Sequence, residues 1–212
     1  MKIIKLTGSI ILLLLVSCNS SRITHSWKSK TVSPQKYNKI LVLSLNNETD
    51  FGTAQKMETH MVDDLTSLGY TASSSLSEYG PKAFRKMDEE TVINKLQHSG
   101  FDAVITIVLL NKSQEKKYVP GSYWNYFNSV YDRIYTPGYY ATNTRYFWES
   151  NLYDVRTSEM LYSVKTESFD PASSNILGHN YGKIIVRDML KKKVLNRRQK
   201  VLVEKEIAGT EQ

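Results

Sequence analysis

The sequence predicts an α/β fold, a mixed β-sheet of about four to six strands with helices packed on it. Three observations carry this. KILVLSL at 39–45 and FDAVITIVLL at 101–110 are short, near-continuous apolar runs rich in β-branched residues, the mark of buried strands. Between them, apolar residues recur at three- and four-residue steps, the period of a helix face. Beyond them, two segments alternate apolar and polar residues on either side of a tight turn, as paired antiparallel strands do.

The elements follow in chain order. After the first strand, NNETD at 46–50 supplies turn and capping residues, and Ala54, Met57, Met61, Leu65 and Leu68 place one apolar stripe on a helix ended by Gly69. YTASSS at 70–75 has room for a second short strand. A Gly-Pro break at 80–81 precedes MDEETVINKLQHSG at 87–100. There Asp88 caps a helix, Glu89 and Glu90 favour its first turn, and Gly100 stands past its end. The strand at 101–110 suits the middle of a sheet. ATNTRYFWESNLYDV (141–155) and EMLYSVKTESF (159–169) form a hairpin about the turn RTS at 156–158. DPASSN at 170–175 breaks the chain, and NYGKIIVRDMLKKKVL (180–195) closes it with a helix that packs Ile184, Ile185, Val186 and Met189. The expected organisation is one α/β domain over 37–195, with a charged tail over 196–212.

The composition is ordinary for a folded protein. Of 212 residues, 41% are hydrophobic and 23% charged, enough to bury a core without disulfides. The formal charge of +7 is concentrated at two places. Lys2 and Lys5 precede the apolar run, and Lys191, Lys192, Lys193, Arg197, Arg198 and Lys200 crowd 191–200, so the rest of the chain is close to neutral. This is a neutral domain with a basic tail, not a nucleic-acid-binding surface. The tail suits either the negative end of the last helix or an anionic surface.

The first 17 residues have the grammar of a signal peptide: Lys2 and Lys5, the apolar run IILLLLV at 10–16, then Ser17. That run falls well short of the ~20 residues a membrane-spanning helix needs. Cys18, the single cysteine, follows at once and cannot form an intrachain disulfide. Leu15-Val16-Ser17-Cys18 resembles the bacterial lipobox, whose cysteine is diacylglyceryl-modified and becomes the first mature residue. The resemblance implies lipidation at Cys18. Each buried methylene adds about 0.8 kcal/mol, so two or three acyl chains would anchor the chain firmly. The polar, aperiodic stretch from Cys18 to Lys36 is expected to be a flexible tether, reaching about 60 Å at full extension. Trp27 is out of character there and is expected to dock on the domain edge. Asn19 after the cysteine, in place of the aspartate linked to inner-membrane retention in some bacteria, favours the outer membrane of a diderm cell.

The layout resembles the small α/β domains of bacterial envelope lipoproteins: the TolB amino-terminal domain, the curli-secretion lipoprotein and the lipoprotein activators of penicillin-binding proteins. Its local features are similar to those of outer-membrane lipoproteins with a Trp soon after the lipid cysteine and then a Tyr-Lys-hydrophobic strand. Here these are Trp27, YNKILVLSL at 37–45 and SGFDAVITI at 99–107. The resemblance covers roughly 37–110. It implies envelope scaffolding or regulation, and no catalytic residues.

Catalytic motifs are scarce. The chain holds no phosphate-binding glycine loop, no H-E-x-x-H and no G-x-S-x-G. Two S-x-x-K matches, SPQK (33–36) and SQEK (113–116), fall in polar segments where the lysine stays hydrated and charged. His60 and Asp64, one helical turn apart, are expected on a solvated helix flank, and metal sites need three or four ligands. No cofactor or metal and no enzymatic activity are therefore expected.

One segment stands out. YVPGSYWNYFNSVYDRIYTPGYY (118–140) holds seven of the fourteen tyrosines together with Trp124 and Phe127. Such an insertion can cover an open sheet face, grip a protein, or contact glycan or lipid, because Tyr and Trp combine a large apolar area with a polar tip. Arg133 is its one cation, which disfavours nucleic acid. Tyr123, Trp124, Tyr126, Phe127, Tyr139 and Tyr140 are the candidate binding residues. The expected function is a lipid-anchored interaction module that binds an envelope protein partner through this segment, with glycan or lipid as the alternative ligand.

Overall fold

The structure, a computed structural model, describes residues 21–33, 37–45, 51–82, 84, 87–119 and 138–197. Six strands and four helices appear in the order β1 (Ser21–Lys28), β2 (Lys39–Ser44), α1 (Phe51–Ser67), β3 (Thr71–Ser74), α2 (Ser75–Tyr79), α3 (Glu89–Gln97), β4 (Ala103–Val119), β5 (Tyr139–Asp154), β6 (Met160–Phe169) and α4 (Ser174–Lys191). The strands make one mixed sheet in the order β1-β6-β5-β4-β2-β3, the predicted α/β fold. Strands β2, β3 and β4 run parallel, joined by the helical crossovers such pairing requires. β4, β5, β6 and β1 continue the sheet antiparallel.

Alternation along the strands sorts side chains onto two faces. On one face, Ile40, Val42, Ile105, Ile107, Trp148, Leu152 and Val164 meet Met57, Met61 and Leu65 of α1 and Tyr181, Ile185 and Met189 of α4 in the main core. On the other, Leu41, Leu43 and Val104 pack with Leu96, Phe101 and Val155 in a smaller cluster. Farther across that second face, β1, β5 and β6 carry charged pairs. Glu167 accepts from Arg22 at 2.6 Å and from Arg145 at 2.8 Å, and Lys165 lies 3.6 Å from Glu149.

The structure corrects three expectations. First, the stretch expected as a tether contains β1. Ser21 to Lys28 pair with Ser168 to Tyr162 of β6, Ile23 packs against the main core, and the Lys28 ammonium donates to the Lys192 carbonyl at the end of α4. The strand escaped pattern reading because, as an edge strand with a polar outer face, it gives the core only Ile23. Trp27 lies on β1 opposite Ser163 and is 44% exposed, at the domain edge as expected. Second, β4 does not stop near Leu110. It runs on to Val119, opposite Tyr139 at the start of β5. Third, the last helix begins at Ser174, where the Ser173 hydroxyl accepts from the Ile176 amide, six residues before its expected start. Gly178 obscured that first stretch, and Gly182 follows one turn later within the expected helix. Packing demands them: a Cβ on Gly178 would lie 2.8 Å from the Lys56 carbonyl oxygen, and one on Gly182 would lie 2.7 Å from the Asp64 carboxylate.

Candidate interaction surface

β4 and β5 are much longer than their neighbours, and the excess becomes an arm. β2 accompanies β4 only as far as Ile107, and β6 accompanies β5 only from Arg145 onward. Gln114–Val119 and Tyr139–Thr144 are therefore paired with each other alone among the described pairings. Six paired residues at about 3.4 Å each make a ribbon roughly 20 Å long. Its sequence is polar and charged because neither face is covered: every residue from Leu110 to Tyr118 is exposed.

Aromatic rings gather at the described end of the ribbon. Tyr118 lies opposite Tyr140, with ring centroids 5.2 Å apart, and Val119 lies opposite Tyr139. Tyr118, Tyr139 and Tyr140 are 53%, 59% and 71% exposed. A Cβ at Gly138 would fall 2.1 Å from the Tyr118 hydroxyl, the outer end of an exposed side chain that would have to turn aside. Lys116 and Lys117 occupy successive positions, so they project from opposite faces. At the arm's base the Lys112 ammonium sits 5.3 Å from the centre of the Tyr146 ring, which stacks on buried Trp148. Of the residues singled out from the sequence, Tyr139 and Tyr140 thus share the arm with Tyr118. Tyr123, Trp124, Tyr126, Phe127 and Cys18 lie outside the described residues.

Other constellations have evident structural roles. Ser113 and Lys116 stand three apart on an extended strand, which puts them on opposite faces and keeps hydroxyl and amine from meeting. His60 and Asp64 are not on a solvated flank but face α4. The His60 Nε2 is 3.0 Å from the Asn175 side-chain oxygen, and its ring meets that of His179 edge-on. Burial holds the Asp64 carboxyl above the ordinary carboxylate range, and His179 and His60 pull it back in part. Among the described residues, no three His, Cys, Asp or Glu side chains converge as metal ligands would.

A cavity of about 590 Å³ lies at the end of the sheet away from the arm, lined by Tyr37, His98, Asp102, Asp154 and Arg156 among others. Its carboxylates are engaged by the fold. Asp102 accepts the Asn38 and Lys39 amides at 2.8 Å each, and Asp154 accepts the amides of Arg156 and Thr157 and the Tyr37 hydroxyl. The proximity of Asp154, after burial itself, drives the Tyr37 hydroxyl well above its ordinary pKa. Sequence reasoning also missed Glu58, which is fully buried and accepts from the Ser44 and Leu76 amides and the Ser74 and Ser75 hydroxyls. The signal was its place on the helix stripe, four residues after Ala54 and three before Met61.

No protein-family model and no curated protein matches the chain. Among solved structures it is similar to the PelC dodecamer from Paraburkholderia phytofirmans, at 10% identity and a TM-score of 0.44 over 84% of this chain and 99% of that one. It is also similar to lipoprotein GNA1162 from Neisseria meningitidis, at 14% identity and a TM-score of 0.41 over 73% of this chain and 99% of that one.

Proposed function

We propose that this chain is a lipid-anchored lipoprotein of the cell envelope that acts as a non-catalytic interaction module, with the β4–β5 arm as its contact surface. The projection of the arm carries the reading. An isolated two-stranded ribbon is marginally stable in water, yet this one extends six residue pairs past its last neighbour and carries three exposed tyrosines at its described end. Such rings on a ribbon clear of the core suit contact better than cover. The lipobox-like LVSC supports the anchor, and Asn19 favours the outer membrane. The cavity carboxylates each accept two backbone amides, a structural duty that supports a binding role over a catalytic one. Of the partners that the sequence left open, protein, glycan and lipid, the direction of the arm favours lipid.

The test uses the mature protein purified from membranes. Intact mass is expected to show acyl chains on Cys18. Photo-cross-linking in cells is expected to show arm contacts that vanish in the Tyr118→Ser/Tyr139→Ser/Tyr140→Ser variant while its circular dichroism is unchanged. Contacts that survive in the folded variant would contradict the assignment of the surface.

A further inference from the structure

The arm and the start of β1, three residues after Cys18 in the sequence, lie at the same end of the sheet. We propose from this that the arm is a second membrane contact, resting at the anionic headgroup level of the bilayer that holds Cys18. The inference rests on the reading that Cys18 is acylated, and it names the occupant of the arm's surface.

The register across the sheet gives the direction. Ser21, the first residue of β1, lies opposite Ser168, which lies opposite Tyr146, which lies opposite Lys112. Beyond this row β6 has one residue left, Phe169, whereas β4 and β5 continue through seven more pairs to Val119 and Tyr139. At about 3.4 Å per residue the arm's end stands roughly 24 Å past the row. The first residue of β1 therefore stands at the arm's end of the sheet. Cys18 is three residues from Ser21, which spans at most about 11 Å.

These two lengths decide the orientation. With the sheet upright on the bilayer, an 11 Å link holds the Ser21 row closer to the lipid than the arm is long, so the arm's end would pass below the headgroups, and the sheet must tilt. With the sheet tilted, the arm lies along the surface. The inverted arrangement would point β1 the other way and lift Ser21 by the length of an eight-residue strand, roughly 27 Å, which the link cannot span.

The chemistry of the arm matches this placement. Tyr118, Tyr139 and Tyr140 are amphipathic rings of the kind enriched at membrane interfaces. Lys112 and Lys116 share one face of β4 and Lys117 lies on the other, against a single carboxylate on the strand, Glu115, so β4 offers anionic headgroups a net positive charge. The ribbon cannot enter the hydrocarbon, because the outer backbone groups of its two strands need water or headgroup partners. It belongs at the interface. The cavity at the other end of the sheet then faces away from the membrane.

The experiment places an environment-sensitive fluorophore on the mature chain through Thr142→Cys, an exposed arm position beside Tyr140 on the same face, or through Thr157→Cys in the β5–β6 turn at the opposite end. Acylation blocks the Cys18 thiol, and intact mass of the same preparation reports whether it is present. The protein is reconstituted into phosphatidylcholine vesicles containing phosphatidylglycerol and nitroxide-bearing lipid. The label at 142 is expected to lose most of its emission and the label at 157 almost none. At about 1 kcal/mol per lysine near an anionic surface, Lys116→Ser and Lys117→Ser should each lower the bound-to-free ratio of the arm by about fivefold, read as partly recovered emission. Equal emission at 142 and 157 on acylated protein overturns the arm contact and leaves the anchor standing. Quenching at 142 only when a membrane protein extract is supplied overturns it in favour of a protein partner. An unmodified Cys18 overturns the anchoring reading and the length argument with it.

Discussion

The Ser21 and Ser168 hydroxyl oxygens lie 2.8 Å apart and both residues are buried, which fastens the start of β1 to the end of β6. One residue on, the Arg22 guanidinium donates to Glu167 at 2.6 and 3.0 Å. The segment that begins three residues after Cys18 is therefore part of the fold, and its behaviour on substitution should differ from that of a tether. Ile23→Asp puts a carboxylate against the main core and is expected to destabilise the protein by about 1–3 kcal/mol in urea unfolding. Arg22→Ser removes a partner that is 74% exposed, and its cost should stay below about 1 kcal/mol. A neutral Ile23→Asp would mean that β1 does not pack.

The crossing of α1 and α4 depends on glycine. Gly178→Ala and Gly182→Ala each gain helix propensity of about 1 kcal/mol. Both nevertheless push a methyl group into α1, Gly178 against backbone that cannot yield. Overpacking of this kind costs about 1–3 kcal/mol, so Gly178→Ala should be the more damaging and lower the thermal midpoint. Gly52 on the exposed start of α1 has no heavy atom within 4 Å of a built Cβ, and Gly52→Ala should be neutral or stabilising by up to about 1 kcal/mol.

Glu58 ties the start of α2 to the end of β2 by accepting four hydrogen bonds. Glu58→Ala would strand buried donors, each costing about 1–3 kcal/mol, and should prevent stable folding. Glu58→Gln keeps the volume but turns an NH2 toward the donors. It should fold with a clearly lowered urea midpoint.

Two carboxylates should give opposite pH dependences. Hydrogen bonds from Arg22 and then Arg145 hold Glu167 below its ordinary value of 4.5. Its folded pKa is therefore depressed, so the stability it contributes is present above about pH 4.5 and is lost as pH falls through the folded value. In Glu167→Gln this loss on acidification should shrink. Asp64 is shifted the other way, raised by burial from 3.8, while His179, His60 and Lys183 pull it down and Asp63 adds to the rise. Its stabilising term is full below about pH 3.8 and is lost as pH rises through the folded value. Asp64→Asn should accordingly gain stability near pH 7 and none near pH 3. Urea midpoints across this range would check both signs.

The legible parts of the sequence were those in which a buried face imposes a period. Ile40 to Leu43 and, Thr106 apart, Val104 to Ile107 sit in the middle of the sheet, buried from both sides, and show as near-continuous apolar runs. Met57, Met61 and Leu65 mark α1 because one face of that helix meets the core. The β5–β6 hairpin showed through its alternation. β1 did not, since Ile23 is its one apolar residue packed on the core, and neither did the outer half of β4, where NKSQEKK has no buried face to set a pattern. The candidate site was half legible. Its rings were visible in composition, but the ribbon that carries Tyr139 and Tyr140, and the end of the sheet it leaves from, are properties of pairing that no local pattern encodes.

Hydrogen–deuterium exchange on the acylated protein in vesicles would test the account most directly, because the orientation of the arm depends on β1 beginning three residues after Cys18. The amides of residues 21–28 that face β6 are predicted to exchange as slowly as those of Met160–Phe169. Exchange over 21–28 at the rate of an unstructured peptide, with β5 and α4 still protected, would restore a long tether and contradict the placement of the arm at the membrane.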